Sequence, residues 1–385
     1  MEILHAYSGN LWGGIERTLL NLAEFQARSR ELSSAAPAHQ HEFALCFQGH
    51  LWSGLEAAGA VCHALGPVRF SRPWSVWSAR RRLCRLLATR HYDAVLLHAS
   101  WPYAALAPAV KACGLPRLWA AHDIADGRHW LDRRVIRNPP QLALANSRYT
   151  AAAWRRWLPA SQIEVWYPPM MPPPALDEDE RGRQRRRWQT TPESLVILIA
   201  GRLEPMKGHR VLLQALAALP PELDWTAWIA GAAQRPREAR YRQALEEQAR
   251  RRGIAPRLRW LGMRADLGAV MSAADVFCQP NLKPDAMAWS VIEALAHRLP
   301  VIASDLGGPA EILAGGETGL LVPPGEPPAL AQALERLWRA PALRLQLGQN
   351  GARRARQLTD AATQAEQLYH YLLPFASMPK AKTAS

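Results

Sequence analysis

Asp285 and Glu293 stand eight residues apart in the stretch PDAMAWSVIEALAHRLPVIASDLGGPAEIL. A carboxylate can accept two vicinal hydroxyls without a metal. The run from Ala288 to His297 reads as a helix whose first backbone N–H groups are open to an anion. Two carboxylates flanking such a helix start can hold a polyhydroxyl ligand that carries phosphate. Glu293 lies inside the apolar segment VIEALA, where a charge without a partner is costly. Upstream, LIAGRLEPMKGHRVLLQAL places Gly201, Arg202, Lys207 and Gly208 just after an apolar strand, Leu195–Ala200. Arginine offers a planar fork and lysine a point charge, and both can neutralise a diphosphate. The glycines let backbone come close.

A second group of candidates lies near the N-terminus. Gly13 and Gly14, in WGGIER, join a strand to a helix and leave a notch of phosphate or sugar size. The spacing is not G-x-G-x-x-G, so a dinucleotide fingerprint is unsupported. His98 in LLHAS and His122 in AAHD each follow a strand, where an imidazole can orient a hydroxyl or stabilise charge near neutral pH. Taken singly, such histidines are more often structural. Asn146-Ser147-Arg148 follows another short strand.

These residues need elements to hold them, and the sequence alternates strands with helices. Strands are expected at Glu2–Ala6, Glu42–Phe47, Ala94–Leu97, Arg117–Ala121 and Leu142–Ala145, with a helix at Ile15–Gln26. A second series is expected at Leu195–Ala200, Trp225–Ala230, Leu258–Leu261, Val276–Gln279 and Pro300–Ser304. Helices around Pro327–Trp338 and Asp360–Leu373 close the chain. Alternation of this kind implies parallel sheet and βαβ units, an α/β fold with ligands at the carboxyl ends of the strands. The proline-rich, then charged, segment 168–194 breaks the series and reads as a linker. The expected division is therefore 1–167, linker 168–194, 195–356, a C-terminal helix over 357–376, and a tail over 377–385.

The 385 residues suffice for two domains, and 49% hydrophobic residues argue against wholesale disorder. No apolar run reaches the roughly 18 residues of a membrane span, and MEILHAYSG lacks signal-peptide character. Five scattered cysteines without zinc or redox spacing suit a reducing, cytoplasmic setting. The net charge of +14 points to an anionic partner. Only five of the 47 basic residues are lysine, which makes Lys207 conspicuous inside a motif. Between Glu56 and Asp93 there is no acidic residue, while Arg69, Arg72, Arg80, Arg81, Arg82, Arg85 and Arg90 accompany Trp74 and Trp77. Basic residues at an anionic membrane contribute roughly 1 kcal/mol each, and tryptophan favours the interface. A peripheral membrane surface built on Arg80, Arg81, Arg82, Arg85, Trp74 and Trp77 is one reading, and a solvated arginine-rich helix is the other. No recognition motif accompanies the charge, so nucleic acid is not expected as a partner.

Five of these elements, in this order, resemble the nucleotide-sugar glycosyltransferases with two Rossmann-like domains, the GT-B fold, and in particular retaining family 4, the glycosyl transferases of group 1. The resemblance implies two such domains facing each other across a cleft. It implies a nucleoside diphosphate sugar as donor, UDP- or GDP-linked, with no cofactor and no metal required, and a glycan or lipid-linked acceptor. By that resemblance Arg202 and Lys207 bind the donor diphosphate, Asp285 holds the sugar and Glu293 the ribose. Gly13, Gly14 and Gly201 lie against the donor, together with Ala286, Met287 and Ala288, and Leu321 and Val322 line the nucleotide pocket. His122 matches the active-site histidine of the family. Asp285-Ala286-Met287-Ala288 departs from the family's usual Glu followed by Gly-Phe-Gly, which narrows backbone approach to the sugar. Two alternatives stay open: an epimerase or phosphorylase on the same fold, and a catalytically impaired lipid- or nucleic-acid-binding homologue. The implied location is cytoplasmic, at the inner face of a membrane.

Overall fold

The computed structural model describes residues 1–10, 12–32, 39–174 and 177–376. The chain forms two compact units: residues 1–171 with the segment from Thr359 onward, and Pro172–Leu358.

The first unit runs β1 (Glu2–Tyr7), α1 (Gly14–Leu32), β2 (Gln40–Leu45), α2 (His50–Ala57), β3 (Val61–Ala64), α3 (Pro73–Thr89), β4 (Ala94–His98) and α4 (Ser100–Ala112). It continues with β5 (Leu118–Ala121), α5 (Trp130–Arg137), β6 (Leu142–Ala145), α6 (Arg148–Trp154) and β7 (Ile163–Val165). All seven strands pair in parallel in the order β3-β2-β1-β4-β5-β6-β7. Helices cover both faces, which is why AVLLH and LWAA read as unbroken apolar runs. On one face Leu4, Val95, Leu97, Trp119 and Ala143 pack under Leu83 of α3 and Leu106 of α4. On the other, Ile3, Phe43, Leu96, Leu118 and Leu144 meet Leu19 and Leu22 of α1.

The second unit runs α7 (Glu178–Arg187), β8 (Leu195–Ala200), α8 (His209–Ala217), β9 (Trp225–Ala230), α9 (Pro236–Arg251), β10 (Leu258–Gly262) and α10 (Leu267–Ala273). Then come β11 (Val276–Gln279), α11 (Trp289–Ala296), β12 (Val301–Ser304), α12 (Gly308–Leu313), β13 (Leu320–Val322), α13 (Pro327–Arg339) and α14 (Pro341–Thr359). Its six parallel strands lie in the order β10-β9-β8-β11-β12-β13, so strand order reverses between β8 and β11. A ligand crevice belongs at the carboxyl ends of the strands on either side of such a reversal. In the first unit the same reversal falls between β1 and β4.

The final helix α15 (Ala361–Ala376) is part of the first unit. It drives Leu368 and Leu372 into the core, and its Gln364 carbonyl accepts from Trp166 Nε1 at 2.9 Å. The segment 168–194 behaves differently from a plain linker. Its charged stretch folds as α7 and docks in the second unit, because Arg181 and Arg185 both donate to Asp275, at 2.7 and 2.6 Å. The Arg185 side chain is only 6% exposed and also donates to the carbonyls of Ala273, Pro192 and Ser194. A composition that suggests solvation is here consumed by a buried, fully partnered guanidinium.

Candidate functional site

In the second unit, two loops meet at the strand reversal. The first leaves β8 through Gly201 and Arg202 and ends in a single 3₁₀ turn, Pro205–Lys207. Gly208 then takes φ +76°, and a Cβ there would lie 1.7 Å from the Pro280 carbonyl oxygen, so only glycine fits. The second loop follows β11 and is tied to the first where Leu282 N donates to Met206 O at 2.8 Å. That contact delivers Lys207 Nζ to Asp285 Oδ2 as a hydrogen-bonded ion pair. Their side chains are 15% and 20% exposed. Burial alone would raise the Asp285 pKa, but the Lys207 ammonium and its hydrogen bond hold it below the usual carboxylate range.

Asp285 is held from behind as well. Its carbonyl accepts from Gly308 N at 2.8 Å, and the Gly307-Gly308 turn presses so close that a Cβ on Gly308 would lie 2.4 Å from Ala286 O. Ala286, Met287 and Ala288 are buried. Ala288 caps α11 with φ 54° and ψ 67°, a left-handed conformation costing an L-residue about 1 kcal/mol or more. Glu293 lies in the second turn of α11 and is partly exposed. Arg202 donates to Glu204 at 3.1 Å, which Arg237 approaches at 3.4 Å. Leu321 and Val322 lie on β13, where the Val322 carbonyl accepts from Asp305 N. Among the sequence-derived candidates, the structure thus brings Lys207 and Asp285 into contact and places Gly201, Arg202 and Ala286–Ala288 in the same two loops.

The first unit holds the remaining candidates. Gly13 and Gly14 open α1, with Arg17 N donating to Gly13 O. Behind them Tyr7 Oη donates to the buried Glu16 at 2.6 Å, and burial together with that carboxylate pushes the Tyr7 phenol well up. Ser147 serves as the N-cap of α6, accepting from Thr150 N at 3.0 Å. His122 sits just beyond β5, partly covered, and His98 ends β4. Their rings are joined, His98 Nδ1 to His122 Nε2 at 3.1 Å. Sequence reading missed what lies behind them. His98 Nε2 bonds His5 Nδ1 at 2.9 Å, His5 Nε2 bonds His41 Nδ1 at 2.8 Å, and His41 Nε2 bonds Tyr369 Oη at 2.9 Å. Burial lowers the pKa of all four, to about 4 for His122 and about 3 for His41, where His39 adds to the effect. His5 and His98 are also held well below the ordinary value, by burial and then by the neighbouring rings.

The arginine–tryptophan cluster maps to α3. Val76, Ala79, Leu83 and Leu87 face the core, while Trp74, Trp77, Arg81 and Arg85 share the outer face. Trp74 and Trp77 are 67% and 61% exposed, and the Arg81 guanidinium lies 5.3 Å over the Trp77 ring. Two arginines of the expected patch also bond backbone carbonyls of the fold. Arg80 turns inward and donates to the Ala105 carbonyl at 2.6 Å, and Arg82 reaches the Leu65 carbonyl at 3.3 Å. Arg80 thereby serves packing against α4, whereas Arg82 stays exposed. Among the described residues no helix is long and apolar enough to cross a membrane.

Residues 12–170 match the family model Glycosyltransferase Family 4, and residues 194–340 match Glycosyl transferases group 1. The chain is 35% identical over 191 residues to the D-inositol 3-phosphate glycosyltransferase of Corynebacterium glutamicum, a match covering 48% of this chain and 44% of that protein. It is 26% identical over 297 residues to the GDP-mannose-dependent alpha-(1-6)-phosphatidylinositol monomannoside mannosyltransferase of Mycobacterium tuberculosis, covering 70% and 74%. The chain thus spans less than half the length of the Corynebacterium relative. Among solved structures, Anabaena HepE in complex with UDP-glucose superposes with a TM-score of 0.84 at 22% identity, over 97% of this chain and 100% of that one. At that identity the likeness is one of fold: two parallel-sheet, Rossmann-like α/β domains of the GT-B kind.

Proposed function

The chain belongs to the glycosyltransferases of group 1 and family 4, and from that premise we propose that it moves a hexosyl group from a nucleoside diphosphate sugar to an acceptor hydroxyl. The reading is carried by the Lys207–Asp285 pair, a cation and a carboxylate side by side at the strand reversal. In the proposed reaction the bond from C1 to the diphosphate oxygen breaks, and a bond from C1 to the acceptor oxygen forms on the same face, so configuration is retained. The acceptor's proton ends on the departing diphosphate. Arg202 and Lys207 stabilise the charge that builds on that leaving group, a preorganised electrostatic contribution that needs no metal. Asp285 accepts sugar hydroxyls with its free lone pairs, and its depressed pKa keeps it ionised for that task. Glu293 takes the ribose hydroxyls, Leu321 and Val322 flank the base, and Gly13, Gly14 and His122 serve the transfer step from the first unit.

The donor is a UDP- or GDP-sugar and the acceptor a glycan or lipid-linked hydroxyl. The names of the relatives, which include an inositol phosphate and a phosphatidylinositol mannoside, support the acceptor class. The outer face of α3, with Trp74, Trp77, Arg81 and Arg85, supports peripheral contact with an anionic inner membrane face.

The deciding experiment is thermal stabilisation by UDP, GDP and ADP of the wild type and of Lys207→Ala. A ligand that binds only the native state stabilises it by about 2.7 kcal/mol at a hundredfold excess over Kd. One nucleotide is expected to stabilise the wild type and not the variant. Stabilisation by none of the three overturns the donor assignment.

A further inference from the structure

Three buried histidines of the first unit, His5, His41 and His98, have no part in the reaction as described. Their placement is a matter of register. His41 pairs with Ile3, two residues before His5; His5 pairs with Leu96, two before His98; His98 pairs with Ala120, two before His122. Residues two apart on a strand share a face. The four rings therefore climb diagonally over one face of the sheet, with centroids 5.0, 5.2 and 5.4 Å apart, and end at its carboxyl edge. They are strung in a file rather than gathered around a point, and among the described residues no group of three such side chains could hold a metal ion.

Each inner ring spends one nitrogen on each neighbour. A neutral imidazole has one N–H and one lone pair. The file is fully bonded only when every ring donates in the same direction, so all four carry the proton on Nε2 or all four carry it on Nδ1. An imidazolium anywhere in the file would set donor against donor. His122 Nδ1, on a ring that is only partly covered, has no protein partner among the described residues. At the other end Tyr369 is partly exposed, with His39 stacked on it at 3.4 Å.

We propose that Tyr369, His41, His5, His98 and His122 form a proton relay that lets His122 take up and return the acceptor hydroxyl proton while remaining neutral. The relay rests on the glycosyl-transfer reading given above. Starting from the Nε2–H state, a proton reaches His122 Nδ1, and His122 passes its Nε2 proton to His98 Nδ1. His98 passes its own to His5 Nδ1, His5 to His41 Nδ1, and His41 to Tyr369 Oη, whose hydroxyl proton leaves to water. One proton enters, one leaves, and no ring ends charged. When His122 Nδ1 gives its proton up again, water returns one at Tyr369 and the file resets.

The test uses two variants. His5→Gln keeps one donor and one acceptor in the file but cannot exchange tautomers, and Tyr369→Phe removes only the oxygen at the partly exposed end. With the nucleotide sugar selected by thermal stabilisation, kcat should fall at least tenfold in both while the donor KM is unchanged. The wild-type proton inventory in mixtures of H2O and D2O should be curved, and that of the variants straight. In protein labelled with 15N at histidine, all four wild-type rings should show the same neutral tautomer at pH 7, and Tyr369→Phe should shift the His122 nitrogens. Mixed tautomers, a charged ring in the file, or unchanged kcat and isotope response in both variants would overturn the relay. A wild type that transfers no sugar strikes the proposed function instead. In that case unmoved His122 nitrogen signals in Tyr369→Phe overturn the relay, and shifted ones uphold it.

Discussion

Mild acid should unfold the first unit well before the second. Four rings of the first unit, His5, His41, His98 and His122, have folded-state pKa values far below the ordinary 6.5, and in the second unit His209 is lowered to about 4 by burial and then by Lys207. A depressed histidine pKa means that the unfolded chain binds more protons than the folded one below pH 6.5. Stability is therefore complete above that value and drains away as pH falls toward 4. Between pH 7.5 and 5.5 each ring kept neutral in the fold costs about 1.4 kcal/mol, from RT ln(1 + 10) at the lower pH against almost nothing at the higher. Four rings, with some discount for the partly covered His122, give a loss of about 4 to 5 kcal/mol in the first unit against about 1 kcal/mol from His209 in the second. Domains have about 5–15 kcal/mol to lose, so the first unit should approach its transition while the second stays folded. Asp285, held low by Lys207, is ionised throughout this window and does not contribute. Hydrogen exchange read on peptides of β1 and β4 against β8 and β9, corrected for intrinsic rates, measures the two losses separately. Equal losses in the two units, or a flat response in the first, would refute the reasoning.

Other substitutions give sharper local tests. Lys207→Met leaves Asp285 without its cation in a site that is mostly closed, and should cost up to about 3 kcal/mol, while Lys207→Met with Asp285→Leu should recover most of it; a double-variant melt no better than the single one contradicts the pairing. Ala288→Gly relieves the left-handed cap of α11 and should stabilise the second unit by about 1 kcal/mol, read as a shifted urea midpoint; an unmoved or lowered midpoint contradicts the strain. Arg81→Gln with Arg85→Gln should weaken binding to anionic vesicles by roughly 2 kcal/mol. Arg80→Gln should leave vesicle binding alone and lower stability instead, because it strips a donor from the Ala105 carbonyl; the reverse pattern would show that the outer face of α3 is misassigned.

How much of this was legible in the sequence depends on what kind of neighbourhood each feature occupies. The loop from Gly201 to Gly208 and the run from Asp285 to Glu293 were readable because each follows one apolar strand directly and leads into one helix. Spacing along the chain is there nearly spacing in the molecule. The edge strands β3, β7 and β13 were not read as strands. At three or four residues each, with partly exposed positions, they are too short to show a pattern of their own and exist through pairing with a longer neighbour. Arg80 looked like its neighbours Arg81 and Arg82 because the carbonyl that captures it lies on α4, 25 residues away.

The histidine file marks the limit of such reading most clearly. Its bonds join residues 36, 93 and 24 positions apart, and no motif of that spacing exists to be found. Each histidine alone sits in an apolar strand or at a strand end, where a satisfied core imidazole is the ordinary expectation. What converts four ordinary positions into one connected device is the strand order β2-β1-β4-β5 together with a register that advances two residues at every step. A shift of one residue at any of the three pairings would turn a ring to the opposite face and cut the file. Strand order and register are properties of the whole sheet, fixed by the packing of α1 and α15 against it and not by any local run of residues. Chemistry placed in a loop can therefore be read from the sequence, while chemistry that crosses a sheet becomes visible only when the strands are laid side by side.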